Sequence, residues 1–210
     1  MKKQLFFAAL CAVVFAACGG PGAPVNLTEI PLAEWHAELR DTGDPALVFF
    51  QSDSGIRMSG DYGYIRTTET YADYELAVEW RWIDEPSNSG IFLHIYEDGI
   101  WPSGYEVQLQ AGNAGDIINS GAGTSREHAR NLADSVAKPH VIRKMHQSNE
   151  APIGEWNRAQ IRAKGNSIRV WINGEEQNEV TGVSSRAGFV GLQSEGKGIE
   201  FRNVILNPLK

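Results

Sequence analysis

"DYELAVEWRW", residues 73–82, alternates without a break: Tyr74, Leu76, Val78, Trp80 and Trp82 fall on one side of an extended chain, Glu75, Ala77, Glu79 and Arg81 on the other. A period of two excludes an amphipathic helix and predicts a half-buried strand with the aromatic and aliphatic side in the core. "GYEVQLQ", 104–110, repeats the pattern, with Tyr105, Val107 and Leu109 inward and Glu106, Gln108 and Gln110 outward. In "SGIFLHIY", 89–96, it assigns Ile91, Leu93 and Ile95 to the core and Phe92, His94 and Tyr96 to the other face. In "GFVGLQSEG", 188–196, Val190 and Leu192 go inward while Phe189, Gln193 and Glu195 go outward.

Similar short runs fill the rest of the chain: "ALVFF" (46–50), "GYIRTT" (63–68), "AQIRAKGNSIRVWING" (159–174) and "IEFRNVIL" (199–206), separated by Gly, Asn, Asp or Pro. This is the pattern of an all-β sandwich or barrel. "AKGN" at 163–166 reads as one hairpin turn and "NG" at 173–174 as another. Only "TSREHARNLADSVA", 124–137, has room for a helical turn or two, within a long loop over one edge; loops of that length are usually functional or mobile.

The amino terminus stands apart. "MKKQLFFAALCAVVFAAC" carries two lysines, an apolar run too short to span a bilayer as a helix, and small residues at its end, which predicts an export signal over 1–17. Cys18 follows Ala16 and Ala17 as in the lipobox of bacterial lipoproteins, where the cysteine is acylated, and residues 18–26 read as a flexible tether. Residues 27–210 then form one domain. Cys11 leaves with the signal, so no disulfide framework remains. Losing Lys2 and Lys3 lowers the basic count from 19 to 17 against 26 acids and moves the formal charge from −7 to −9. That balance argues against a nucleic-acid partner and against a polybasic membrane patch, leaving the lipid on Cys18 as the membrane contact. No acidic run follows Cys18, so the expected location is the cell envelope, on the periplasmic face of the outer membrane.

The outward faces mix carboxylate, carboxamide, guanidinium, imidazole and aromatic groups, whereas plainly solvated faces favour Lys, Glu, Thr and Ser. Trp101 in "GIWPSGY" suits stacking on a sugar ring or plugging a loop; Trp156 suits packing. Lys138, His140, Arg143, Lys144 and His146 read as a solvated lid. Five scattered histidines with no H-x-H or H-E-x-x-H spacing write no transition-metal site, and no cofactor is expected; a structural calcium on loop carbonyls and Asp116 stays open.

"YADYELAVEWRW", "NSGIFLHIY", "PSGYEVQLQ", "GEWN", "I-x-V-W-I-N-G" and "GLQSEGKGIEFRNVIL", in this order, resemble the 3-keto-disaccharide hydrolase domain family of bacterial secreted and lipid-anchored proteins. The resemblance implies a jelly-roll sandwich of two antiparallel sheets, of the concanavalin A and laminarinase type, whose concave face takes carbohydrate. It also implies an oligosaccharide or glycoside substrate oxidised to a ketone at carbon 3. Sandwich glucanases of this type carry paired carboxylates on one strand. Here the strand reads Glu106, Gln108, Gln110, and a carboxamide neither forms a stable glycosyl ester nor donates an acid proton. A 3-keto sugar needs no such pair, because its ketone acidifies the carbon 2 proton and lets the glycosidic oxygen leave by β-elimination.

The expected roles are therefore Glu106 as base or acid, His94 as its partner, and Arg81 with Gln108 around the enolate oxygen. Glu79, Asn88, Gln110, Trp101, Gln193 and Glu195 are the expected substrate contacts. Residues 79, 81, 94, 106 and 108 should then share one hollow. A structural ion pair for Glu79 and Arg81, a packing role for His94 and a loop cap for Glu195 are the plainer readings. A non-catalytic lectin-like module, or a conventional glucanase with Glu195 as the second acid, are the alternative functions.

Overall fold

The computed structural model describes residues 22–184 and 186–209; the expected signal and Cys18 lie outside the described residues. The alternation in residues 73–82 is realised side chain by side chain, with Tyr74 to Trp82 buried at every even position and the odd positions partly or fully exposed. The strands are β1 (Val25–Asn26), β2 (His36–Leu39), β3 (Phe49–Ser52), β4 (Gly55–Met58), β5 (Gly63–Arg66), β6 (Tyr74–Trp82), β7 (Gly90–Glu97) and β8 (Ser103–Gln108). After these come β9 (Ile117–Ser120), the helix α1 (Arg126–Ala133), β10 (Val141–Ile142), β11 (Asn157–Lys164), β12 (Ser167–Ile172), β13 (Glu175–Thr181), β14 (Phe189–Ser194) and β15 (Ile199–Pro208).

They form two antiparallel sheets. The back sheet runs β13-β12-β11-β6-β15-β4-β3, with β1 added to β15; the front sheet runs β10-β9-β8-β7-β14-β5-β2. The core between them holds Trp80, Tyr74, Phe201 and Leu76 from the back sheet and Ile91, Tyr105, Val107 and Leu192 from the front. Full burial of side chains of this size contributes roughly 1.5–3 kcal/mol each. The jelly-roll sandwich expected from the resemblance is what the chain forms. Both hairpins are present: Gly165 turns β11 into β12 at φ +59°, and Asn173 and Gly174, both at positive φ, turn β12 into β13.

Two expectations need correction. Glu79 and Arg81 lie on β6, in the back sheet, whereas Glu106 and Gln108 lie on β8, in the front sheet. The five expected site residues therefore do not share a hollow, because the outward faces of two packed sheets point in opposite directions. Arg81 instead bonds Glu200 at 2.7 Å, and Glu79 accepts from Arg202 at 2.7 Å and from Asn203 at 3.1 Å. Trp156 packs beneath the guanidinium groups of Arg81 and Arg202, at 4.6 and 3.9 Å.

His94 is the second correction. The β7–β8 pairing shifts register between Leu93 and Glu97, and His94 takes the left-handed conformation, φ +51°. A bulge exchanges the faces beyond it. His94 consequently turns inward, 2% exposed, edge-on to Tyr74 and Tyr105, with Nε2 2.9 Å from the Ala72 carbonyl oxygen. Ile95, expected in the core, joins Phe92, Tyr64 and Phe189 in a small cluster on the outer face. Burial holds the His94 imidazole below its ordinary pKa, more than its bond to Ala72 raises it.

Candidate active site

Every residue of β8 is buried on both faces, unlike β6, whose outward positions are open. A pocket of about 640 Å³ opens on the outer face of the front sheet, and residues of the segment from Gly121 to Arg143, whose β10 extends the sheet beyond β9, line one side of it. The segment is pinned at several points. Asp116, buried, accepts from Arg143 Nη1 at 2.7 Å and from the Lys144 backbone N–H at 2.8 Å. Asp116 thus clamps the chain at Arg143 and Lys144 to the end of β8. Glu127 on α1 accepts from the Thr181 backbone N–H and hydroxyl at 2.8 and 3.0 Å, which ties the helix to β13. The Asn178 amide donates to the carbonyls of Gly115 and Ile142 at 3.0 and 2.9 Å.

On the floor, the Glu106 carboxyl group lies flat over Gly90 of β7. A Cβ at Gly90 would stand 2.7 Å from Cγ and 2.8 Å from Cδ of Glu106, so the missing side chain is what makes the niche. Burial, and then the charge of Glu195, push the Glu106 carboxyl up to about 8, so it carries its proton at neutral pH. Gln108 is held by its own strand: its Oε1 accepts from the backbone N–H groups of Leu109 and Gln110 at 3.1 and 3.0 Å. Its amide nitrogen is the end left for the pocket. Gln193 and Glu195 come from the end of β14, and an isolated bridge between Asn88 and Glu195 joins the two loops that carry them. Asn88 Oδ1 and Gln193 Oε1 are buried and without a hydrogen-bond partner among the described residues, and both residues line this pocket. Buried acceptors left open in this way are suited to a hydroxyl-rich ligand.

Trp101 stands at the rim, 55% exposed, edge-on to Tyr62 at 5.0 Å. So exposed an indole is not a loop plug. His128, Lys138, His140 and Arg143, the last paired with Asp116, also line the pocket. The solvated lid expected of Lys138, His140 and Arg143 is thus part of the pocket lining.

A model of the 3-keto-alpha-glucoside-1,2-lyase-like domain matches residues 31–207. The chain belongs to this family. It is 24% identical over 211 residues to the 3-keto-disaccharide hydrolase of Bacteroides thetaiotaomicron, an alignment covering 79% of this chain and 69% of that protein. Among solved structures, a Parabacteroides distasonis protein provisionally named a glycosyl hydrolase superimposes with a TM-score of 0.63 at 18% identity, covering 89% of this chain and all of that one. A carbohydrate-binding module from Bacillus subtilis superimposes at 0.57 and 9% identity, covering 81% and 93%. At these identities the superpositions establish the fold.

Within this lyase-like domain, seven of the expected residues line one pocket: Asn88, Trp101, Glu106, Gln108, Gln110, Gln193 and Glu195. Glu79, Arg81 and His94 do not. Sequence reasoning missed the pocket role of His128, Lys138, His140 and Arg143, and Tyr62, which donates to the Ile100 carbonyl at 3.1 Å and whose phenol burial, then the Glu195 charge, hold well above its ordinary pKa. Gly90 reads in the sequence as shaping the entry to its strand, and the close approach of Glu106 over it was missed, although a glycine at the start of a strand otherwise rich in bulky residues is a sign of close approach.

Proposed function

We propose that this chain cleaves glycosides whose sugar carries a ketone at carbon 3, by elimination followed by hydration. The observation that carries the reading is the Glu106 carboxyl, buried, protonated at neutral pH and beside the carboxyl of Glu195. Glu195, the more solvated of the two, removes the carbon 2 proton, and the electron pair passes into the ketone, where the Gln108 amide meets the enolate oxygen. The enolate then collapses, the bond from carbon 1 to the glycosidic oxygen breaks, and that oxygen takes the Glu106 proton. Water adds to carbon 1 of the enone, giving its proton to Glu106, while carbon 2 recovers its proton from Glu195. Both carboxyl groups return to their starting states, and the net reaction is hydrolysis. Asn88 and Gln193 accept from sugar hydroxyls, Trp101 stacks on the ring, and the side lined by His128, Lys138, His140 and Arg143 meets the aglycone. General acid or base assistance is worth about 10²–10⁴-fold, and one preorganised oxyanion donor about 2.7–4 kcal/mol.

The test is to incubate the protein with a glucoside and with its 3-keto derivative. Aglycone release from the keto sugar alone is expected; release from the unoxidised glucoside at a comparable rate overturns the reading. The amino-terminal pattern supports placing the enzyme in the cell envelope through a lipid on Cys18. A Cys18→Ala protein should then move from the membrane to the soluble envelope fraction.

A further inference from the structure

A second trough, of about 380 Å³, crosses the outer face of the back sheet, on the side of the molecule opposite the pocket. Its floor is set by strand register. Trp171 on β12 stands opposite Gln160 on β11, Gln160 opposite Ala77 on β6, and Ala77 opposite Ile205 on β15. This row spans three strand spacings, roughly 14 Å, which is more than one sugar ring needs. Ala77 is the one small residue among the outward positions of β6, where its neighbours are Glu75, Glu79 and Arg81, so the row is a low stripe between two taller ones.

Trp171 is placed deliberately. The β12–β13 register shifts between Val170 and Trp171, and bulges re-aim the side chains beside them. Behind it, Glu176 grips Arg169 with contacts of 2.7 and 2.9 Å and holds the guanidinium over the indole at 5.0 Å. A partly exposed indole held in this way is a rigid apolar plate with polar edges around it. The two flanking rows mix signs: Arg162 faces Glu75 at 3.8 Å on one side, and Glu79 meets Arg158 at 3.8 Å and Arg202 at 2.7 Å on the other. An anion would meet carboxylates on both banks and a cation guanidinium groups. Uncharged hydroxyls both donate and accept, and suit such banks.

We propose that this trough is a second carbohydrate site, taking an uncharged oligosaccharide laid across β12, β11, β6 and β15 with a ring stacked on Trp171. It has no part in bond cleavage and would hold the enzyme on a glycan while the pocket works. The inference stands whether or not the pocket acts on keto sugars.

The experiment titrates the full chain with maltohexaose, cellohexaose and laminarihexaose, with tetragalacturonate as an anionic control. At least one neutral hexaose should bind at millimolar concentration or below, and Trp171→Ala should weaken it at least about tenfold. Ala77→Lys, which fills the trough without touching the core, should do the same and covers the case in which the tryptophan change disturbs folding. Trp101→Ala, at the pocket rim, should leave this binding within about twofold, and Trp171→Ala should leave turnover of a small 3-keto glycoside unchanged. No binding by any neutral hexaose, binding lost through Trp101 instead of Trp171, or preference for the tetragalacturonate overturns the proposal.

Discussion

Strands β6 and β8 read alike in the sequence and do opposite work. Each sets aromatic and aliphatic side chains against a row that includes carboxylates. On β6 the outward row is open to water and cross-linked: burial alone would raise the Glu79 carboxyl, but bonds from Arg202 and Asn203 and the charges of Arg202 and Arg158 hold it below the usual range. On β8 the same kind of row is buried, and burial together with the charge of Glu195 drives the Glu106 carboxyl up to about 8. The difference between a paired surface carboxylate and a protonated buried one lies in the surroundings of the strand, not in the strand.

The strongest way to break this contrast is to exchange the two glutamates for glutamine. Glu106→Gln should cut turnover on a 3-keto glycoside by about 10²–10⁴-fold with the fold intact by circular dichroism. Glu79→Gln should leave turnover within about twofold. Equal losses in the two variants would erase the distinction.

A subtler change leaves every polar group in place. Gly90→Ala puts a methyl group into the Glu106 niche, and a displacement of about 1 Å can cost on the order of 10²-fold in rate. The expected outcome is a fall in turnover number with sugar affinity little changed; unaltered turnover would mean that the carboxyl position does not matter.

The contrast also has a pH signature. Because the folded-state pKa of Glu106 lies above its ordinary 4.5, between there and about 8 the folded chain keeps a proton that the unfolded chain has lost. Stability from this group is full at acid pH, is lost as pH rises through about 8, and levels off above. Glu106→Gln should abolish that component, so melting temperatures of the two proteins should converge in acid and the variant should gain on the wild type at pH 9. Turnover that depends on Glu106 as proton donor should fall over the same rise in pH.

The smallest expected effect on activity belongs to His94. His94→Gln should lower stability by about 1–3 kcal/mol in urea unfolding, through the buried bond to Ala72, and leave the pH profile of turnover unchanged. A moved profile would return this histidine to the chemistry.

What could be read in the chain follows from these cases. Periodicity of two is a local property, so the inward and outward sides of residues 73–82 and 104–110 were legible, as were the turns at Gly165 and at Asn173–Gly174. Seven pocket residues were legible because they come from adjacent strands of one sheet and the loops at their ends. Which sheet β6 joins depends on the β6–β11 and β6–β15 pairings, made with residues some 80 to 130 positions away, and no periodicity reports that. His94 was assigned outward because a single left-handed residue reverses the count beyond it and leaves no compositional mark. Lys138, His140 and Arg143 are exposed, as read, but that they also line the pocket depends on Asp116 and Thr181 tying the loop down, which no local pattern reports.

The way Gln108 is held carries one last consequence. Two amide hydrogens of the following residues fasten its oxygen, so the nitrogen is aimed before any sugar arrives and no rotation has to be frozen when one does. A glutamate in its place would be welcomed by the same two hydrogens, would stay ionised, and would drive the neighbouring carboxyl at 106 further toward its neutral form. One altered atom would turn the hydrogen-bond donor facing the pocket into a second negative charge.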